Sequence, residues 1–300
     1  MAPTSRDEVV IRPMRADDVP AVERLTDEVY VDLDRRTHRV HWPEPAPRTA
    51  EGSALWVRRI AHLAATDAGG CWVADAGGAV VGAALATRRD TMWLLSTLGV
   101  ARGRQGQGIG RQLLEAASTH GRNCTTAMLL ASEDPLALRR YRLAGFDLHP
   151  TMLVWGKVSR DVLPVVEHMR QGGVGDIDMM NSVDRQTRGS AHGPDHEFLS
   201  QQYPLVVVDR PSGSGYAYLK AGGGPYVLAA TNRRLARDLL WEALAASDPD
   251  VPMSAEIITP GNAWAVDVGM AARLELHVRN YLAVRNMRPP TPYLPSGFFL

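Results

Sequence analysis

Leu98-Gly99-Val100-Ala101-Arg102-Gly103-Arg104-Gln105-Gly106-Gln107-Gly108-Ile109-Gly110-Arg111-Gln112-Leu113-Leu114 is the stretch on which the reading of the whole chain turns. A β-prone run ends at Val100 and an amphipathic helix begins near Ile109, so the glycines between them must turn the chain at the mouth of a helix. A helix N-terminus carries unpaired N–H donors and a partial positive charge, and residues without a Cβ let an anion approach the backbone. Gln105, Gly106, Gln107, Gly108, Ile109 and Gly110 therefore read as a cradle for a pyrophosphate. Arg102, Arg104 and Arg111 add cationic groups suited to a ligand with several phosphates.

Outward from this loop the pattern is α/β with a mixed sheet. Residues 9–11 are β-prone, Asp17 and Asp18 are capping candidates, and Val19, Val22, Leu25 and Val29 follow at helical spacing. Residues 38–48 are dense in proline and form a loop before helical character resumes over 51–65. Three β-prone runs, 71–74, 79–87 and 92–100, form an antiparallel meander. After the glycine-rich loop, residues 109–120, 126–131, 136–144 and 152–155 alternate as helix, strand, helix, strand.

The spacing Gln105-x-x-Gly108-x-Gly110, behind Leu98-Gly99-Val100 and ahead of Leu113-Leu114, resembles the coenzyme-A motif of the GNAT N-acetyltransferase superfamily. It lacks the leading glycine of a dinucleotide-binding fingerprint and the Lys-Ser/Thr ending of a P-loop. Residues 137–146, ALRRYRLAGF, resemble that family's tyrosine helix ending in Gly-Phe, and the likeness covers roughly residues 9–158. One departure is Arg102, where the family often has proline. The resemblance implies acetyl-coenzyme A as cosubstrate, held by Leu98, Gly99, Val100, Arg104, Gln105, Gly106, Gln107, Gly108, Ile109, Gly110, Arg111 and Ser132. It implies attack of a neutral amine on the thioester, an oxyanion stabilised by the backbone of Leu98 to Val100, and protonation of the leaving thiolate by Tyr141. Ser132 and Asp134 either contact the pantetheine arm or cap the following helix, and capping suits Asp134 ahead of Pro135. Strand residues 93–97 carry no carboxylate to serve as base. Ser96 relaying through a water, or the loop with His38, His41 and Glu44, are the candidates, and a bound free amine needs neither.

At 300 residues the chain has room for two cores. Met14-Arg15 recurs as Met169-Arg170, Arg111-Gln112-Leu113-Leu114 as Arg237-Asp238-Leu239-Leu240, and Phe146-Asp147-Leu148-His149 as Leu274-Glu275-Leu276-His277, at offsets of 155, 126 and 128. The expectation is two tandem GNAT-like domains, 1–158 and 159–300, each a twisted central sheet flanked by helices. Between Ala229 and Arg237 no glycine remains, and the position matching Tyr141 is Gly269, so the second copy is degenerate: it keeps the fold without the cofactor. It shapes the acceptor pocket or mediates association, for instance as a homodimer.

Lys plus Arg and Asp plus Glu both number 33, so the balanced charge offers no attraction to nucleic acid or to anionic membrane. Two cysteines are too few for a disulfide framework and fit a reducing cytoplasm, and no apolar run is long enough to span a bilayer. His192, Asp195, His196 and Glu197 are ligand-type residues, but Gly193 and Pro194 interrupt them. Turn and capping roles are expected there rather than a metal, with Arg185 and Arg188 beside them as candidate cavity walls. Residues 221–225 read as a hairpin turn, Trp42, Pro43 and Pro45 as a stiff loop or a wall of the acceptor pocket, and residues 287–293 as an extended strap. The expected activity is acetyl transfer to a primary amine of a small molecule. The rivals are a protein N-acetyltransferase and a non-catalytic acyl-coenzyme-A or small-ligand sensor.

Overall fold

A computed structural model describes residues 8–39 and 42–300, which fall into two compact units. The first takes in the chain up to Arg88 together with Trp93–Thr125. It carries β1 (Val9–Pro13), α1 (Val19–Thr37), α2 (Ala50–Thr66), β2 (Cys71–Ala76), β3 (Ala79–Arg89), β4 (Met92–Val100) and α3 (Ile109–Ser118). Its strands lie in the order β1-β2-β3-β4. The apolar face of α1 buries Val19, Val22 and Leu25, and α3 buries Leu113, Leu114 and Ala117. Gly82 on β3 lets α3 pack close, since a Cβ there would lie 2.9 Å from Leu113 Cδ1 and that side chain would have to shift. Arg48 stitches the proline-rich loop down: it donates to the Glu23 carboxylate at 3.1 Å and its guanidinium lies 3.9 Å from the Trp56 ring centroid.

The second unit takes in Arg89–Met92 and Thr126–Leu300. It begins with β5 (Thr126–Ala131), α4 (Pro135–Leu143) and β6 (Asp147–Gly156), then runs through β7 (Arg170–Gln171), α5 (Ile177–Thr187), α6 (Asp195–Gln202), β8 (Leu205–Arg210), β9 (Gly213–Leu219) and β10 (Pro225–Ala230). It closes with α7 (Arg233–Ala245), β11 (Met253–Ile258), α8 (Ala263–Ala271), β12 (Glu275–Arg285) and β13 (Tyr293–Leu294). One run of strands is ordered β5-β12-β6-β11 and a separate sheet is ordered β13-β10-β9-β8-β7. Val208, Ala217, Leu228, Leu239, Leu240, Trp264 and Val268 form its buried apolar centre.

The order of elements from β1 to β6 recurs from β7 to β12, and local detail recurs with it. Arg12 Nη1 donates to Asp18 at 2.7 Å while the amide of Arg15 donates to the same carboxylate. Arg170 Nη1 does so to Asp176 at 3.0 Å, with the amide of Gly173 in the role of Arg15. This sets the first offset at 158 and corrects the match of Met14-Arg15 with Met169-Arg170: Arg12, not Arg15, is the counterpart of Arg170. Gly215 on β9 sits under Leu239 of α7 as Gly82 sits under Leu113, a Cβ there meeting Leu239 Cδ1 at 2.8 Å. The offset of 126 thus has a packing basis.

β12 is inserted between β5 and β6, pairing antiparallel with both, while β6 in turn lies between β12 and β11. Each copy's last strand therefore separates the other copy's final two. This exchange draws β5, α4 and β6 into one unit with everything after them, so the compact units part at 125/126, whereas the repeated order of elements turns over between β6, which ends at Gly156, and β7, which begins at Arg170. Compactness and repetition follow different ends because the exchanged strands bond across the repeat.

Candidate functional site

β4 delivers the chain to the glycine-rich loop, which occupies residues 101–108 before α3 begins. Gly99 packs closely enough that an added Cβ would lie 3.6 Å from Val29 of α1, so the end of β4 runs under that helix. Gly106 and Gly108 adopt φ of +78° and +83°, the left-handed region that disfavours a side chain. Gly108 is the N-cap of α3 and supplies no capping side chain. Gln105 instead folds its amide back to the Val100 carbonyl at 3.0 Å. Among the described residues, no protein acceptor takes the amides of Gly106, Gln107, Gly108, Ile109 or Gly110. A consecutive set of free donors at a helix N-terminus offers an anion what it needs for binding. Arg111 is largely exposed at this terminus, and Arg102 pairs with Asp32 of α1 at 2.7 Å.

Other predicted residues stand as follows. Leu98, Val100 and Ser96 are half-buried on β4, and Arg104 is half-buried in the loop. His38 lies 3.5 Å from Glu44, and His41 is outside the described residues. In the second unit Asp134 is the N-cap of α4, accepting from the amides of Leu136 and Ala137 at 2.8 and 3.2 Å. Of the two roles open to it, capping is the one it performs. Ser132 accepts from the Asp134 amide at 3.4 Å. Tyr141 is 6% exposed, and its ring meets that of Phe146 edge-on at 6.3 Å. Gly145, at φ +85°, ends α4 and lets the Phe146 amide reach back to the Tyr141 carbonyl at 3.1 Å.

The second copy closes each of these features with its own atoms. Only Thr231 and Asn232 join β10 to α7, leaving no room for a cradle. Asn232 Oδ1 accepts from the Leu235 amide at 3.0 Å, so a side chain occupies the helix N-terminus that an anion would need. The counterpart of Tyr141, Gly269, lies so close to β6 that a Cβ would be 2.6 Å from Val154. On the edge of β10, the counterpart of β4, the strap supplies β13, with Leu228 opposite Leu294 and Ala229 opposite Tyr293. Buried Asn262 clamps that strap, donating to the Pro290 carbonyl at 3.0 Å and accepting from the Tyr293 amide at 3.1 Å.

The histidine cluster departs from its expected turn and capping roles. His192 and His196 are fully buried and converge on Asp184 of α5, with Nδ1 and Nε2 respectively 2.7 and 2.9 Å from Oδ2. Tyr216 donates to the other carboxylate oxygen at 2.5 Å, and Tyr218 lies 3.2 Å from His196 Nδ1. Asp195 leaves this group and forms a buried bidentate pair with Arg89 at 2.6 and 2.7 Å. The metal-competent atoms of Asp184, His192 and His196 lie within 4.8 Å of one another, but hydrogen bonding already matches them. Two buried arginines, Arg89 and Arg188, accompany two buried aspartates, Asp184 and Asp195. The group is a closed polar core.

Burial, then the charge of Arg188, pushes the His192 imidazole down to about 4 against an unfolded value of 6.5. Below pH 6.5 the unfolded chain takes up a proton that the folded chain refuses, so this contribution is complete above 6.5 and drains away toward pH 4. Urea midpoints taken from pH 7 to 4.5 are expected to fall, with His192 alone accounting for about 3 kcal/mol over the full window. In a His192→Asn variant the fall should be shallower; equal slopes would assign the acid sensitivity elsewhere.

Residues 29–146 match the acetyltransferase (GNAT) family. Searched against curated proteins, the chain finds no match. Among solved structures, a putative acetyltransferase from Pyrococcus horikoshii is similar over 97% of this chain and 95% of its own, at 15% identity and a TM-score of 0.74. A GCN5-related N-acetyltransferase from Sphaerobacter thermophilus is similar over 94% and 96%, at 17% identity and 0.57. A tandem GNAT protein from the clavulanic acid biosynthesis pathway is similar over 94% and 99%, at 16% identity and 0.56. At these identities the likeness establishes the fold, a mixed α/β tandem GNAT arrangement. Among the described residues no helix is long and apolar enough to cross a membrane.

Proposed function

We propose that this chain, which carries a GNAT domain within residues 29–146, transfers an acetyl group from acetyl-coenzyme A to a primary amine of a small molecule. The observation that carries the reading is the set of free amides from Gly106 to Gly110 at the N-terminus of α3, in the copy that has them, against the self-capped α7 in the copy that has not. In this reading the amides bind the pyrophosphate and the backbone of Leu98 to Val100 stabilises the oxyanion as the amine attacks the thioester carbonyl. The C–S bond breaks, the sulfur takes its electron pair with a proton from Tyr141, and the proton shed by the acylated nitrogen passes through water to restore the phenol. A thiol near 8.5 needs only a weak acid, which a phenol supplies. Cys71 is no competing nucleophile, since burial and then Asp67 push its thiol up to about 12. The reading keeps a cytoplasmic setting and no nucleic-acid or membrane partner.

One observation favours a second reading, a non-catalytic acyl-coenzyme-A sensor: Tyr141 is packed as a core residue would be. Turnover decides between them. Given acetyl-coenzyme A and a panel of small primary amines, the enzyme releases free thiol, and Tyr141→Phe is expected to lower kcat about 100-fold with unchanged cofactor affinity. Binding without thiol release across the panel would favour the sensor.

A further inference from the structure

Within the second unit, the strand that completes the sheet beside α4 is β12, which belongs to the degenerate copy. Its last residue, Arg285, pairs with Ala127 of β5, and the residue before it pairs with Asp147, where β6 starts. This registry puts Arg285 beside the Gly145-Phe146 turn. Its guanidinium lies 5.1 Å from the centroid of the Phe146 ring, and Nη1 donates to the Ala144 carbonyl at 3.3 Å. Gly145 lies against the arginine stem, a Cβ there standing in ordinary contact at 3.6 Å from Arg285 Cδ. Arg142 holds the same turn from the helix side, donating to the Phe146 carbonyl at 2.7 Å.

We propose that Arg285 is a positioning residue for Tyr141, so that the second copy, without a cofactor site of its own, sets the acid of the first. The proposal rests on the reading of Tyr141 given above. Two contacts bear on the placement of Tyr141: the last turn of α4, where the carbonyl at Tyr141 receives the amides of Ala144 and Phe146, and the Phe146 ring against its edge. Arg285 touches both, bonding the C-cap carbonyl of α4 and meeting the Phe146 ring. A cation at a helix C-terminus also answers carbonyls that the helix leaves unpaired. The second copy has no such arrangement, because Arg273 takes the place of Gly145, at φ +62°, and Leu274 the place of Phe146. A guanidinium is needed rather than an ammonium, since its flat face stacks while its edge donates.

Four variants test this, Arg285→Gln, Arg285→Lys, Tyr141→Phe and the double variant Tyr141→Phe with Arg285→Gln, each assayed for kcat with an accepted amine and titrated calorimetrically with acetyl-coenzyme A. Arg285→Gln should lower kcat about tenfold and leave the acetyl-coenzyme-A Kd unchanged; Arg285→Lys, which keeps the donor and loses the stack, should recover part of it. In the Tyr141→Phe background Arg285→Gln should have no further effect, because a residue acting through the phenol has nothing left to act on. Multiplying effects in the double variant, or wild-type kcat in Arg285→Gln beside an impaired Tyr141→Phe, would overturn the positioning role alone. Wild-type kcat in Tyr141→Phe would remove the acid reading and this proposal with it. Should Arg285→Gln not fold, Arg285→Lys compared in the two backgrounds separates the same outcomes.

Discussion

Calorimetric titration with acetyl-coenzyme A is expected to give one site per chain, and Gly108→Glu is expected to abolish it, with a loss of at least 100-fold in affinity. Two effects act together in that variant. Gly108 holds φ at +83°, where a bulky side chain costs about 1–2 kcal/mol, and the new carboxylate stands at the donors that would face the phosphates. Gly108→Ala shares the backbone strain without the charge, so the difference between the two variants isolates the electrostatic part. Circular dichroism should show both folded, since a Cβ at Gly108 meets nothing closer than Gln112 Nε2 at 4.0 Å. A stoichiometry of two would contradict the closed second copy, in which Asn232 fills the helix N-terminus and β13 lies along β10. Unchanged binding in Gly108→Glu would place the phosphates elsewhere.

The loop was legible because its chemistry is local: strand end, glycines and helix start are consecutive, and backbone donors need no distant partner. The Tyr141 helix was legible for the same reason, with Gly145 marking its end. What sequence could not place is what long-range pairing decides. Asp184 was overlooked although it precedes His192 by 8 and His196 by 12 residues, because only the packing of α5 against β9 turns these three toward one point. Tyr216 and Tyr218 carried a usable signal, alternation along one strand face, which marks a shared partner on that side. Arg285 carried none, being a single arginine between the repeat match at 274–277 and the strap at 287–293, with no motif beside it. The exchange of β6 and β12 was invisible for a related reason: periodicity shows that a segment is a strand, and it is silent on which copy's strands will flank it.

That exchange sets the last expectation, that residues 1–158 will not fold alone even though they hold the coenzyme-A motif and the tyrosine helix. In the whole chain β12 pairs five residues with β5 and eight with β6, while β11 pairs four with β6. Removing residues 159–300 strips both edges of β6 and the inner edge of β5, leaving long unpaired strands with apolar faces, the condition that drives aggregation. Val154, fully buried against Gly269 of α8, would be bared in the same step. Expressed alone, 1–158 should therefore be insoluble. Co-expressed with 159–300 it should be recovered as a one-to-one complex that binds one acetyl-coenzyme A, because the pairing that failed within the fragment is restored between the two pieces. A soluble, cofactor-binding 1–158 fragment would mean that β5 and β6 can pair with each other directly. The inserted strand would then be an addition to a self-sufficient acetyltransferase domain. If instead the fragment needs its partner, loss of the cofactor site in the second copy is explained without loss of selection on its fold. On the proposed function, its strands would then stay indispensable to the half that holds the glycine-rich loop.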